Sequence, residues 1–300
     1  MRPTDRAMPK LVRRTSAAGA LGAKQIWLVF LLGLGHAFSL PRHSLPVSRW
    51  RKNSSHRVAA GDVRHFLAGD ASPLLCEVGA RVGQALPDKL KHKELFEAHA
   101  VAELAQRHLT QWRSEGLEVQ TAVELCAGCG LVGIFLALLD RRLRVLQLDR
   151  RRSKLAAQLH EMADSWDLHE RLGWRVADLR PAGEEAAEFE PGSLVLACHA
   201  CGLLSDEAMA AAVAARLPLI LLPCCYARNP KALVRAKRGH PSFAWPRYPW
   251  LERGAVNRLG RDAVDAARVS FLEQNAYKVV YDHIDAEITE FNRAIVAAPT

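Results

Sequence analysis

Three stretches of this sequence bring together residue types that can do chemistry. In the first, Glu124-Leu-Cys126-Ala127-Gly128-Cys-Gly130-Leu-Val-Gly133, a carboxylate stands just ahead of three glycines. Glycines at such a place permit positive φ and let the backbone approach a ligand that a Cβ would push away, which points to a nucleotide-like ligand. Their spacing also satisfies the dinucleotide fingerprint, but a pyrophosphate would be repelled by Glu124, whereas a ligand carrying positive charge would not. The second feature is Asp149, about 20 residues beyond the glycines, where a carboxylate can accept hydrogen bonds from both hydroxyls of a ribose. The third is a pair of thiol-rich segments, Cys198-His199-Ala200-Cys201-Gly202 and Pro223-Cys224-Cys225-Tyr226.

The thiols allow three readings. Small cysteines can simply line a tight cofactor pocket, since free Cys is a common buried residue. Cys201 or Cys224 can act as a nucleophile, with His199 lowering the thiol pKa. Two C-x-x-C pairs with His199 also have ligand types suited to zinc, although both pairs lie in loops claimed by the cofactor, and no metal site is expected. For direct transfer to oxygen or nitrogen, His199 is the candidate base because its ordinary pKa lies near neutrality. Asp206 can orient it or cap the helix that follows.

These residues need elements to position them. Thr121 to Leu125 reads as a strand, followed by a helix over Leu131 to Leu139. Leu143 to Leu148, Trp174 to Ala177, Ser193 to Ala197 and Leu219 to Leu222 read as further strands. Helices are expected from Ser153 to about Ser165, from Glu207 to Arg216 and from Gly260 to Asn275. Alternation of this kind argues for a parallel sheet with right-handed crossovers and a ligand crevice at the carboxyl ends of its strands. Tyr277 to Ile284 and Ala294 to Ala298 read as a closing hairpin. Ahead of the first strand, His92 to Trp112 carries an amphipathic stripe at 101, 104, 105, 109 and 112; His92, Lys93 and His99 either reach the substrate or lie on its solvated face, and the solvated face is the expectation. Gly61 to Lys91 reads as a mixed helical lead-in broken at Pro73 and Pro87.

The 300 residues carry a formal charge of +9, and the excess is local. Residues 1–60 hold eleven Lys and Arg against the single acid Asp5, and the remainder is close to neutral, so the overall charge says little about nucleic acid. An apolar run from Ile26 to Gly35 is shorter than the roughly 20 residues of a membrane span, so no stable span is expected in the mature chain. With Phe38 and an acid-free, Ser/Arg-rich stretch behind it, this segment resembles the two-part leader of proteins sent to complex plastids, against the alternatives of a mitochondrial leader, a signal peptide or a signal anchor. The odd count of seven cysteines suits reduced thiols better than a disulfide framework. Three segments follow: a targeting leader over 1–60, a helical lead-in over 61–116 and a catalytic domain over 117–300.

ELCAGCG resembles the first motif of class I S-adenosylmethionine-dependent methyltransferases, with Cys126 where many members have a glycine. HACG-x-x-S-D and PCCY are similar to a subgroup that includes the methyltransferase domain of glutathione-S-transferase-C-terminal-domain-containing proteins. More distantly they are similar to the tRNA acceptor-stem 2′-O-methyltransferases. The resemblance implies a Rossmann-like α/β fold with a seven-stranded, mostly parallel sheet in the order 3-2-1-4-5-7-6. It also implies S-adenosyl-L-methionine as cofactor, held by Glu124, Cys126, Ala127, Gly128, Gly130, Asp149, Arg150, Asp178, Leu179 and Cys198, with Asp178 and Leu179 at the adenine. The acceptor is left open between RNA, tRNA included, and a small molecule. The basic, aromatic, proline-studded insertion from Ala227 to Gly260 favours RNA, and the near-neutral charge of 61–300 suits a small molecule. A non-catalytic scaffold that kept the cofactor fold is the reading from another class.

Overall fold

The computed structural model describes residues 52, 55–59, 61, 72–179, 189–200, 203–224 and 255–300. Most of the expected leader, Cys201, Cys225 and the insertion up to residue 254 lie outside the described residues. In chain order the elements are α1 (Pro73–Ala85), α2 (His92–Ser114), β1 (Thr121–Leu125), α3 (Leu131–Leu139), β2 (Arg144–Asp149), α4 (Lys154–Asp164) and β3 (Leu172–Val176). They continue as β4 (Ser193–Cys198), α5 (Leu203–Ala214), β5 (Leu219–Leu222), α6 (Ala255–Gln274), β6 (Tyr277–His283) and β7 (Arg293–Pro299).

The strands form one sheet in the order β3-β2-β1-β4-β5-β7-β6. The first five run parallel, and β7 is antiparallel to both β5 and β6. This is the expected class I methyltransferase order, reversed strand included. β1 is buried along its whole length, as a central parallel strand covered on both faces must be. The period of two sends Ala122 and Glu124 to one face and Val123 and Leu125 to the other. One core cluster joins Ala122, Leu194 and Leu196 to α1, α2, α3 and α4, and the second joins Val123, Leu125 and Val195 to α5 and α6.

Several local expectations change for identifiable reasons. Pro73 does not break a helix but opens α1, behind Ser72, whose Oγ accepts the Leu75 N–H at 3.2 Å. The helix after β4 starts at Leu203, so Ser205 and Asp206 fall inside its first turn and are not its cap. Ser205 Oγ donates to the Ala200 carbonyl, and Asp206 takes a bidentate contact from Arg268 at 2.9 and 3.2 Å. His92 and His99, expected on a solvated face, are buried because α2 is enclosed by α1, α3 and the sheet. Residues 56–58 fall in the expected leader, yet they pair with 88–92: Val58 is fully buried, and its N–H donates to Leu90. No helix among the described residues is long and apolar enough to cross a membrane.

Behind the sheet, Arg268 on α6 joins Asp206 on α5 to Asp265, and Asp265 also binds Arg293 on β7 at 2.6 Å. Asp206, Asp265 and Arg268 are all 3% exposed or less. Removing one partner of such a network strands the remaining charges in a low-dielectric interior. Arg268→Ala is therefore expected to destabilise the fold by about 3–5 kcal/mol in urea titration, far more than alanine at an exposed arginine.

Candidate cofactor crevice and acceptor edge

The strand order reverses between β1 and β4, and their carboxyl ends open the crevice in which ligands of such sheets bind. Leu125 pairs in register with Ala197, so Cys126 and Cys198 emerge side by side, and Cys198 in turn neighbours Leu222 at the end of β5. The register thus brings Cys126, Cys198 and Cys224 to one edge. Cys126 has φ +57° and His199 also has φ +57°, so two non-glycine residues hold left-handed backbone at adjacent strand ends. Strain of this sort persists where the surroundings enforce it.

Below the glycine turn lies a chain of buried polar groups. Glu124 Oε2 accepts the Gly133 N–H at 3.0 Å and the Gln147 amide at 2.6 Å. That amide also donates to the Gly130 carbonyl at 2.5 Å, and Gln147 Oε1 meets His160 Nε2 at 2.6 Å. Burial, with a smaller push from Arg152, lowers His160 to about 4, so its ring is neutral and Nε2 is the donor. Burial raises Glu124 to about 7, and its two hydrogen bonds only partly offset this. The glycines therefore serve two purposes. A Cβ on Gly130 would meet Gln147 Oε1 at 2.5 Å, and one on Gly133 would meet Glu124 Oε2 at 2.6 Å. Their missing side chains make room for the buried pair, and only Gly128, at φ +62° with nothing nearer than 3.9 Å, faces open space.

Asp149 ends β2 beside that open space, its Oδ2 accepting the Gly128 N–H at 3.0 Å and its Oδ1 facing the Arg151 N–H at 3.4 Å. Arg150 beside it is exposed. At the neighbouring strand end, the Ala177 N–H donates to the Asp149 carbonyl at 3.0 Å, and this places Asp178 and Leu179 next to Asp149. Val176, 61% exposed at the end of β3, adds an apolar surface there.

His199 is bound through Nε2 to Glu97 Oε2 of α2 at 2.9 Å. Burial lowers its pKa, but the hydrogen bonds to Cys198 and Glu97 outweigh burial and the net shift is upward. Cys198 is itself held above its ordinary value by burial, and Cys129 is pushed to about 11 for the same reason, so both are thiols at neutral pH. The charge that His199 answers is thus that of Glu97, and an imidazolium so held cannot accept a proton. Cys224 is buried at the end of β5. Among the described residues no group of three His, Cys, Asp or Glu is placed to hold a metal ion.

Glu97, Gln147 and His160 were not foreseen as site residues. Glu97 shares the buried stripe of α2 with Val101 and Leu104, and Gln147 interrupts an apolar strand directly opposite Glu124 in the register. A polar residue on an apolar face was the available signal in both cases.

Residues 91–229 match the model of a family described as a methyltransferase domain. A search of the curated proteins returned no match. Among solved structures the chain is similar to the magnesium protoporphyrin IX methyltransferase of Synechocystis PCC 6803 with bound SAH, at 15% identity and a TM-score of 0.39 over 80% of this chain and 94% of that one. It is also similar to the precorrin-6y C5,15-methyltransferase of Geobacter metallireducens GS-15, at 15% identity and a TM-score of 0.37 over 66% and 87%. At these scores the likeness adds nothing to the strand order, which defines the fold. The strand order is that of the class I methyltransferase fold, and the family match spans a little under half of the chain. The cofactor of this class is S-adenosyl-L-methionine, and the open face of Gly128 beside the Asp149 carboxylate fits it.

Two outcomes follow from the charges. Glu124 is raised in the folded state, so the native protein holds the extra proton between its unfolded pKa of about 4.3 and its folded value. Stability from this group is full below that range and is lost as pH rises to about 7, a change on the order of 3–4 kcal/mol. Glu124→Gln should level that slope in denaturant titrations of the ligand-free protein. In Glu97→Gln the His199 ring should titrate at lower pH than in the wild type, read from its 13Cε1 chemical shift.

Proposed function

We propose that this chain is an active methyltransferase that binds S-adenosyl-L-methionine along β1 and β2 and methylates an acceptor at the ends of β4 and β5. The observation that carries the reading is the pairing of Gly128 with Asp149, where the one loop glycine facing open space is fastened to the carboxylate at the end of β2. In this reading Asp149 receives the ribose hydroxyls, and Asp178, Leu179 and Val176 flank the base. Glu124 responds to the positive charges of the cofactor by losing its proton, which favours binding as pH rises through about 7. The expectation of an RNA acceptor rests on the insertion, whose residues up to 254 lie outside the described ones. The near-neutral charge of residues 61–300 supports a small acceptor.

Calorimetry on the full chain tests the cofactor assignment. S-adenosyl-L-methionine and S-adenosyl-L-homocysteine should bind while NADPH does not. Asp149→Ala should weaken both at least about tenfold, the loss of roughly one charged hydrogen bond pair. Binding of NADPH alone would overturn the assignment.

A further inference from the structure

The parts of S-adenosyl-L-methionine meet the strand ends in a fixed order. With the base beside β3 and the ribose hydroxyls at Asp149 on β2, the chain that carries the sulfur and the amino acid runs on past β1 towards β4. The ends of β2 and β4 are two inter-strand spacings apart, about 10 Å. The single bonds from the ribose ring to the carboxylate carbon reach about 7 Å when extended, and the ribose at one end with a side chain at the other covers the rest. The amino-acid end of the cofactor therefore comes to the residues that follow β4.

That end is a zwitterion, so it needs anions for its ammonium and a cation for its carboxylate. The anions are present: Cys198 feels the charge of Glu97 and Glu124, and Cys129 that of Glu124 and Glu94, so three carboxylates gather about the glycine turn. The cation is His199, the first residue beyond β4. Its N–H donates to the Leu222 carbonyl at 3.1 Å, which fastens its left-handed backbone to the end of β5. Its Nε2 lies 2.9 Å from Glu97 Oε2, and the two side chains are 36% and 8% exposed. The pair is thus turned with its carboxylate inside and its imidazolium outside. Glu97 Oε1 is buried and meets no donor among the described residues, so among them the Glu97 charge is answered through Oε2, by His199. The other ring nitrogen of His199 is left with the Cys198 thiol, a weak acceptor that a carboxylate oxygen would outcompete.

We propose that His199, backed by the Glu97 carboxylate, is the residue that binds the carboxylate of the cofactor's amino-acid end and so selects S-adenosyl-L-methionine over analogues that lack it. The proposal rests on the methyltransferase reading above. His199 touches the ligand, and Glu97 is a positioning residue that fixes the orientation and the charge of the ring. The cofactor is then held at both ends, by Asp149 at the ribose and by His199 at the carboxylate, which fixes the direction in which the methyl group on the sulfur between them points. The role also accounts for a histidine at a strand end that holds a proton it cannot exchange: as a fixed cation it serves binding and not proton transfer.

The test is calorimetry on the full chain with two ligands, S-adenosyl-L-methionine and its decarboxylated form, which keeps the base, the sulfonium and the amine and lacks only the carboxylate. The wild type should prefer the first by at least about tenfold, the loss of one charged hydrogen bond. His199→Asn removes the charge with a residue that tolerates left-handed backbone. It should erase the preference by weakening S-adenosyl-L-methionine at least about tenfold, while the decarboxylated ligand stays within about threefold. Glu97→Gln keeps the His199 ring but frees it to titrate, with Cys198 the other titratable group at the ring. In that variant the preference should fall as the ring loses its proton, followed by its 13Cε1 chemical shift, beyond any change that the wild type shows over the same pH range. If the wild type binds both ligands equally, or if the ratio of the two affinities is the same in His199→Asn as in the wild type, the proposal is overturned and the Glu97–His199 pair only fastens α2 to β4. If neither ligand binds the wild type, the methyltransferase reading fails first and this proposal fails with it.

Discussion

The carboxylate of Glu124, buried under the glycine turn, is the interaction on which the site depends. It binds α3 through the Gly133 N–H and β2 through the Gln147 amide, while it belongs itself to β1. Three elements that meet at the cofactor crevice are thereby held by one oxygen. The cost is a buried ionisable group, and the hydrogen bonds that ease the cost also shape the turn, because Gln147 continues to the Gly130 carbonyl. His160 closes the chain on α4, so no atom of the Gln147 amide is left without a partner.

The second organising feature is α2, which lies along the sheet face and reaches its carboxyl edge. Its Glu97 fixes the charge of His199, and its His99 belongs to a neutral chain on the opposite side of the same turn. Two histidines thus sit in opposite protonation states a short way apart, one held by a carboxylate and the other kept neutral by burial. Environment and not residue type assigns the roles.

The sheet was legible in the sequence because each strand is a short apolar run between glycine, proline or acidic breaks, and parallel strands buried on both faces must read that way. The meeting of Gly128 with Asp149 was legible for a related reason: a glycine turn after β1 and an acid at the end of β2 are brought together by the strand order, which spacing reveals. The acceptor side was not. The pairing of Glu97 with His199 spans about a hundred residues, so the apolar stripe of α2 could mark Glu97 as unusual without naming its partner. His99 read as solvated because α2 looks amphipathic alone, yet α1 and α3 cover the side that its periodicity leaves to water. The three glycines invited a single explanation, and the packing assigns two of them to Gln147 and Glu124.

The interlock of Gly133, Glu124 and Gln147 also constrains how such a sequence can change over time. An alanine at 133 has no room while the longer side chains remain, and a shorter residue at 147 leaves the Glu124 carboxylate and the Gly130 carbonyl short of a donor. Neither substitution is accessible alone without loss, so the positions are expected to drift as a set. Among related chains, a larger residue at the place of Gly133 should be accompanied by a smaller partner on the second strand.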